Sequence, residues 1–214
     1  MQIKRIIFIR SGETDWNKLG RWQGWVAAPL NDHGRYQVQA LANFLRNIGV
    51  GALYSSDLKR GVDTAEIIAA RLGITPIYDP RLRERKIGTW QGMTNDELQH
   101  WYSDQYQEWL NDRENYQIPE GESLAEVYVR MRAAFDDIVR QDQAETVGIV
   151  SHTVASRRLL TDITPAFDYN ERLANSSVTT IARDGDQWKL LVPNDIAHLE
   201  GIMSGFSKEL GDKE

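Results

Sequence analysis

Arg10 and Ser11 follow directly on four apolar residues, Ile6-Ile7-Phe8-Ile9, and His152 follows, after Ser151, on Val147-Gly148-Ile149-Val150. An apolar run closed by a polar turn reads as a buried parallel strand that delivers its last residues to the sheet edge where ligands bind. Arg60 falls in the first turns of a helix expected after Ser55-Ser56-Asp57, and Glu84 lies in the charged stretch Arg81 to Lys86. Two guanidiniums offer donor forks that suit a phosphate or carboxylate, while an imidazole and a carboxylic acid can move a proton. Brought to one edge, they would bind a dianion and protonate a leaving group, most of what phosphoryl transfer without a metal requires. Gly12 would permit a tight turn that brings the backbone close to a bound anion. Each residue also has a plainer reading: Arg60 as a surface charge, His152 as a hydrogen-bonded core histidine, Glu84 as an ion-pair partner of Arg81 or Arg83.

The elements that must position these residues follow from periodicity. Val38, Leu41, Ala42, Leu45 and Ile48 share one helical face, with Gly49 at the C-cap; Ala65, Ile68, Ala69 and Leu72 form a second stripe, closed by Gly73. Ala52-Leu53-Tyr54 and Ile74 to Tyr78 read as strands, and Ser55-Ser56-Asp57 as N-cap candidates. Between Asp15 and Asp32 a loop rich in Trp is expected. Residues 86–120 read as a helical lid folded over the mouth of the sheet, with a capping box at Thr94 and Glu97 and one helix bearing Leu98, Trp101, Tyr102 and Trp109. Its six aromatics suit lid packing or a ring-bearing ligand. From Ser123 the helical period returns through Leu124, Val127, Met131, Ala134, Phe135 and Ile138. A helix from Val154 to Leu160, a strand pair at Ser177–Arg183 and Trp188–Val192, and a polar tail complete the chain. Alternating strands and helices predict an α/β fold, a three-layer α/β/α sandwich around a mainly parallel sheet, with residues 1–214 as a single domain.

With 214 residues the chain can bury roughly 70% of its unfolded surface. Lys plus Arg total 25 against 31 Asp plus Glu, a net charge of −6, which argues against nucleic acid or an anionic membrane as partner. No apolar run approaches the roughly 18 residues of a membrane helix, so a soluble, cytoplasmic protein is expected. Zero Cys excludes disulfides and thiolate chemistry, and the four His show no metal-binding spacing, so no metal or cofactor is expected. A homodimer is compatible with the sequence and not required by it.

In order and in spacing, nine segments resemble the histidine phosphatase superfamily, with its phosphoglycerate-mutase-like fold: Arg10 to Asn17, Gly20 to Gly24, Pro29-Leu30, Ser55 to Arg60, Thr64-Ala65, Leu82 to Glu84, Gly88 to Gly92, Gly121 to Ser123 and Val150 to His152. The resemblance implies a metal-free, two-step phosphomonoesterase acting on a small phosphorylated metabolite. Arg10, Arg60 and His152 would clamp the phosphate and Glu84 would be the general acid. Asn17 and Gln23 would add donors, with Gly24 and Thr153 beside them in the substrate pocket. A mutase fits less well, because the stretch from Arg60 to Gly121 is short for the insertions that mutase relatives carry.

The family's nucleophile is a histidine, and here that position is Ser11. A serine hydroxyl needs a strong base and gives a comparatively inert phosphate ester, so a loss of about 10⁴ to 10⁶ in turnover is expected. Further departures are Ala27, Gly61, Gln91 and Thr153, where relatives often carry Asp, Ala, Glu and Gly. Two origins fit: a histidine enzyme altered at position 11, or a gene that encodes a pseudo-phosphatase. The competing functions are a non-catalytic phosphate- or phosphoester-binding protein and an enzyme of different chemistry that reuses the pocket.

Overall fold

Ile6, Ile7, Phe8 and Ile9 are buried because β1 (Arg5–Arg10) runs through the middle of a six-stranded sheet covered on both faces. The structure, a computed structural model, describes residues 3–200. After β1 come α1 (Asp15–Lys18), α2 (Asp32–Ile48), β2 (Ala52–Ser55), α3 (Lys59–Leu72), β3 (Ile77–Tyr78), α4 (Asn95–Trp101), α5 (Ser103–Asn111), α6 (Leu124–Gln141), β4 (Thr146–Ser151), α7 (Thr153–Ile163), β5 (Val178–Asp184) and β6 (Gln187–Asp195). The strand order is β3-β2-β4-β1-β5-β6. The first four are mutually parallel and the last two antiparallel. This is the three-layer α/β/α fold that the alternation of elements predicts.

Alternating side chains of the central strands feed two cores. Ile6, Phe8, Val147 and Ile149 pack on one side with Val127, Met131 and Phe135 of α6 and Leu159 of α7. Ile7, Ile9, Leu53 and Val150 pack on the other with Val38, Leu41 and Leu45 of α2 and Ile68 of α3. The period of two that separates these sets also fixes the register, since a slip of one residue would exchange the two faces. A third apolar cluster belongs to the α4–α5 segment, where Trp90 is fully buried among Ile87, Leu98, Tyr106 and Ile118. Most of its aromatic rings therefore pack against one another, although Trp101 remains exposed.

Several local expectations are corrected. Only Ile77 and Tyr78 pair as a strand, because Pro76 has no N–H to give the ladder and restricts Thr75 before it. The single helix expected around Trp101 is two, broken at Tyr102, whose φ of −128° and ψ of 37° leave the helical region. The stretch expected as a loop between Asp15 and Asp32 opens with α1, held by a capping box between Thr14 and Asn17. At the start of α3 the N-cap is Leu58, without a side-chain cap bond; Ser56 Oγ instead accepts the Leu58 N–H. The polar tail expected after Val192 begins instead with the end of β6, to Asp195, and a single turn at Ala197–Leu199 that buries Leu199; the rest of it lies outside the described residues. The expected Gly49 and Gly73 C-caps are both left-handed, and the Thr94–Glu97 box is present.

Candidate active site

The register that pairs Arg10 with Ser151 puts Ser11 and His152 side by side, each one residue past the end of its strand. The Ser11 N–H donates to Ser151 O at 3.1 Å, so position 11 is fixed through the backbone. Arg60 projects from the first turn of α3, beyond β2, to the same edge. Its Nε donates to His152 Nδ1 at 3.1 Å, and its two terminal nitrogens donate to Gly24 O at 2.9 Å and Val26 O at 3.4 Å. The Arg10 guanidinium donates to Leu173 O. Burial pushes both guanidiniums down, each to about 10, against the opposing pull of the Glu84 carboxylate, and for Arg10 the neighbouring guanidiniums add to the fall.

A guanidinium can only donate, so His152 Nδ1 is the unprotonated acceptor and Nε2–H donates to Ser56 Oγ, 2.8 Å away. The imidazole is neutral, its pKa held well below the ordinary value first by burial and then by the positive charges of Arg60, Arg10 and Arg130. Glu84 pairs with neither Arg81, which binds Asp79 and Asp137, nor Arg83, which binds Asp57. Its carboxylate accepts N–H bonds from Arg85 at 2.8 Å, Ala155 at 3.0 Å and Val154 at 3.1 Å. Two of those donors are orphan N–H groups of the first turn of α7, where negative charge is also favoured by the helix dipole. The backbone around Glu84 is tied down as well: Trp25 Nε1 and Arg130 Nη2 both donate to Glu84 O.

Arg10, Ser11, Asn17, Gln23, Gly24, Arg60, Glu84, His152 and Thr153 line one cavity of about 120 Å³, together with Arg21. Asn17 Oδ1 accepts from the Thr14 N–H and from Asn175 Nδ2, which leaves its own NH₂ as the donor available to a ligand. Gln23 Oε1 is buried with no hydrogen-bond partner. Gly24 needs its φ of 52°, and a Cβ there would stand 2.5 Å from Ile87 Cγ1. Gly12 does not line the cavity: its N–H donates to Thr64 Oγ1, and a Cβ would meet Val38 Cγ2 at 2.8 Å. Close packing, not approach to an anion, is what requires glycine there. Among the described residues no His, Asp and Glu are grouped as a metal site, and no helix is long and apolar enough to cross a membrane.

Sequence reasoning names Ser56 only as an N-cap candidate and gives Arg21 no site role, and it passes over Asn175 and a second chamber of about 450 Å³ that shares Arg10, Gln23, Gly24, Glu84 and Thr153 with the first. These residues come together from segments far apart in the chain, which leaves no local period to read. Arg10 and Arg60 can hold a tetrahedral dianion beside a carboxyl group, and His152 can join them by giving its Nε2–H to the ligand in place of Ser56 Oγ. His152 is not placed as a base for Ser11, because both of its nitrogens are engaged by Arg60 and Ser56.

Residues 6–196 match the Histidine phosphatase superfamily (branch 1). Phosphoglycerate mutase-like protein 4 of Arabidopsis thaliana is 36% identical over 208 residues, covering 94% of this chain and 90% of that protein. Phosphoserine phosphatase 1 of Hydrogenobacter thermophilus is 33% identical over 155 residues, 72% and 74% of the two chains. Among solved structures, a histidine-to-alanine mutant of phosphoserine phosphatase from Entamoeba histolytica, in complex with phosphoserine, superposes with a TM-score of 0.80 at 27% identity, covering 91% of this chain and 98% of that one.

Proposed function

The chain belongs to the histidine phosphatase superfamily, branch 1, and from that premise we propose that Arg10, Arg60 and His152 hold the phosphoryl group of a small phosphorylated metabolite. With histidine at position 11 the same site is a metal-free phosphomonoesterase. The imidazole nitrogen bonds to phosphorus as the P–O bond to the leaving alcohol breaks, and Glu84 passes its proton to the departing oxygen. Water then displaces phosphate from the imidazole, returning a proton to Glu84. A carboxylate has about four lone-pair sites, and the three backbone N–H bonds to Glu84 leave one for that proton. Asn17 and Gln23 orient the phosphoryl oxygens, Gly24 and Thr153 shape the wall, and the α4–α5 segment covers the entrance. With Ser11 in place the chain binds phosphoesters and turns them over near the background rate.

The observation that carries this reading is the engagement of His152, whose two ring nitrogens face Arg60 and Ser56 and so do not take the proton of the Ser11 hydroxyl, while Arg10 and Arg60 keep their positive charge at the same cavity. That a relative carrying a histidine-to-alanine change is found with phosphoserine bound supports the idea that such a scaffold keeps its ligand without every histidine. Ser11→His is the test. Turnover of p-nitrophenyl phosphate is expected to rise at least roughly 10³-fold, with acid-labile phosphate on residue 11 during turnover.

A second reading, a phosphoester-binding protein that has left catalysis, rests on Gly61. A Cβ there would meet Ser56 O at 2.8 Å, so the alanine common among relatives does not fit beside the Ser56 that holds His152. A folded Ser11→His protein that binds phosphate yet stays at background would put this second reading in front.

A further inference from the structure

Ser176 is fully buried and stands in the left-handed region, with a φ of 59°. That conformation is disfavoured for a serine and persists only where the surroundings hold it. Its own Oγ is buried with no hydrogen-bond partner, so the side chain is not what holds it. The bonds of its backbone lead to the site. The Ser176 N–H donates to the carbonyls of Arg10 at 3.1 Å and Ser11 at 3.3 Å. On either side, Asn175 Nδ2 donates to Ser11 O and to Asn17 Oδ1, both at 3.3 Å, and the Arg10 N–H donates to Ser177 O at 3.0 Å. Leu173 O accepts from the Arg10 guanidinium. Residues 173–177 therefore set the backbone of positions 10 and 11, the aim of the Arg10 side chain and the orientation of the Asn17 amide.

This segment is held from behind by residues near the end of the described chain. Asn194 Oδ1 accepts the Ala174 N–H at 2.8 Å. His198, in the turn at Ala197–Leu199, has its Nε2 2.9 Å from Ser176 O. A carbonyl only accepts, so Nε2 carries the proton, and Nδ1 is left buried without a partner. Burial lowers the pKa of this imidazole, in keeping with a neutral ring. The ring stacks on Phe44 of α2 with centroids 5.2 Å apart. On packing grounds alone a phenyl ring would serve in that place. What the imidazole adds is one donor, directed at the residue whose backbone is strained.

We propose that His198 is a positioning residue for the phosphoryl clamp: its Nε2–H fixes Ser176 in the left-handed conformation, and Ser176 and Asn175 in turn fix Arg10, Ser11 and Asn17. The proposal rests on the reading of Arg10, Arg60 and His152 as that clamp.

Two substitutions separate the donor from the ring. His198→Phe keeps the stack on Phe44 and removes the donor, whereas His198→Gln removes the ring and keeps an N–H at about the reach of Nε2. Calorimetry with orthophosphate on the Ser11 chain is expected to show affinity at least about fivefold weaker in His198→Phe, the effect of one lost hydrogen bond, and changed less than about twofold in His198→Gln. A ring that served only for packing would give the reverse order. Ser176→Gly tests the strain itself, because glycine adopts this φ freely; added to His198→Phe, it is expected to recover most of the lost affinity. In the unaltered chain, the ring nitrogen chemical shifts of His198 are expected to show the neutral Nε2–H form near neutral pH, a readout that depends on no variant folding. Equal affinity in His198→Phe and the unaltered chain, a greater loss in His198→Gln than in His198→Phe, or a ring protonated on Nδ1 alone overturns the positioning role and leaves the clamp intact. Failure of orthophosphate to bind the unaltered chain overturns the clamp reading, and the positioning role with it.

Discussion

Arginines in two neighbouring regions of this molecule are treated in opposite ways. Around the Pro80–Leu82 turn and α6 they meet carboxylates: Arg81 binds Asp79 and Asp137, Arg83 binds Asp57, Arg130 binds Glu122, and Arg132 binds Asp136 and Asp162. In the two cavities Arg21 pairs with Glu97, but Arg10, Arg60, Arg85 and Arg157 meet only carbonyls, an imidazole or nothing, and burial lowers all four pKa values. The first set completes its electrostatics within the fold. The second leaves positive charge in a chain whose net charge is −6, and desolvated charge of that kind is stabilised by an anion from outside. Position along the chain does not separate the sets, since Arg83 and Arg85 are two residues apart.

The comparison breaks most severely at Arg130, a member of the paired set that also supports the site. Besides Glu122, it donates to the carbonyls of Arg81 at 2.8 Å, Arg83 at 2.6 Å and Glu84 at 2.9 Å, fastening the loop that carries Glu84 to α6. Arg130→Met leaves Glu122 partly buried without its cation and takes this donor from the carbonyls of Arg81 and Arg83, while Glu84 O keeps only Trp25 Nε1. A loss of about 3 to 5 kcal/mol in chemical denaturation is expected, the range for breaking a buried pair on one side. A loss under about 1 kcal/mol would mean that the loop holds Glu84 without this strut.

Arg60 probes the unpaired set. Removing it in Arg60→Ala is expected to weaken orthophosphate binding by about 1.5 to 3 kcal/mol, read by calorimetry on protein shown to be folded. The guanidinium also holds Gly24, Val26 and His152, so part of that loss is disorder of the clamp and not a missing contact. An unchanged affinity would move the phosphate away from this cavity.

Much of this layout was legible in the sequence, and what was missed shares one physical cause. The sheet, the stripes of α2, α3 and α6 and the glycine caps follow from side-chain period and backbone freedom, which are local properties. Arg10, Ser11 and His152 follow from strand ends and Arg60 from a first helical turn, also local signals; Glu84 was placed with them from a charged stretch, and the family resemblance supplies the roles. What Glu84 binds was not legible: its partners include Val154 and Ala155, 70 and 71 residues away, and no period marks such a meeting. The break at Tyr102 escaped because its aromatic neighbours read equally well as one apolar stripe. Arg157 escaped because on a helical wheel a half-buried, unpaired arginine looks like any surface charge.

His152 gives a smaller effect, with a definite sign. Its pKa in the folded protein lies well below that of the unfolded chain, mainly through burial, so below about pH 6.5 the unfolded state binds a proton that the folded state refuses. The stability it contributes is fully present above pH 6.5 and is lost as pH falls through that value toward the folded pKa, by at most about 1.4 kcal/mol per pH unit. In His152→Asn this part of the acid sensitivity should vanish between pH 7 and 5. An identical pH dependence in the two proteins would show that His152 binds its proton equally well in the folded and unfolded chain, and that burial does not depress it.

The smallest effect is expected at Arg132, and it is the one that shows whether pairing, and not arginine itself, distinguishes the two regions. Arg132 bonds Asp136 one turn along α6 and Asp162 on α7, but its side chain is 42% exposed, so solvent screens both contacts. Exposed pairs of this kind contribute about 0 to 1 kcal/mol, and Arg132→Gln is expected to change stability by no more than that. It should leave orthophosphate affinity unaltered, because the charge removed is already balanced by two carboxylates and lines neither cavity. If Arg132→Gln weakened phosphate binding as much as Arg60→Ala, the clamp would be only part of a diffuse positive field. A null result here beside a large one at Arg60 assigns the anion to the arginines that the fold leaves unpaired.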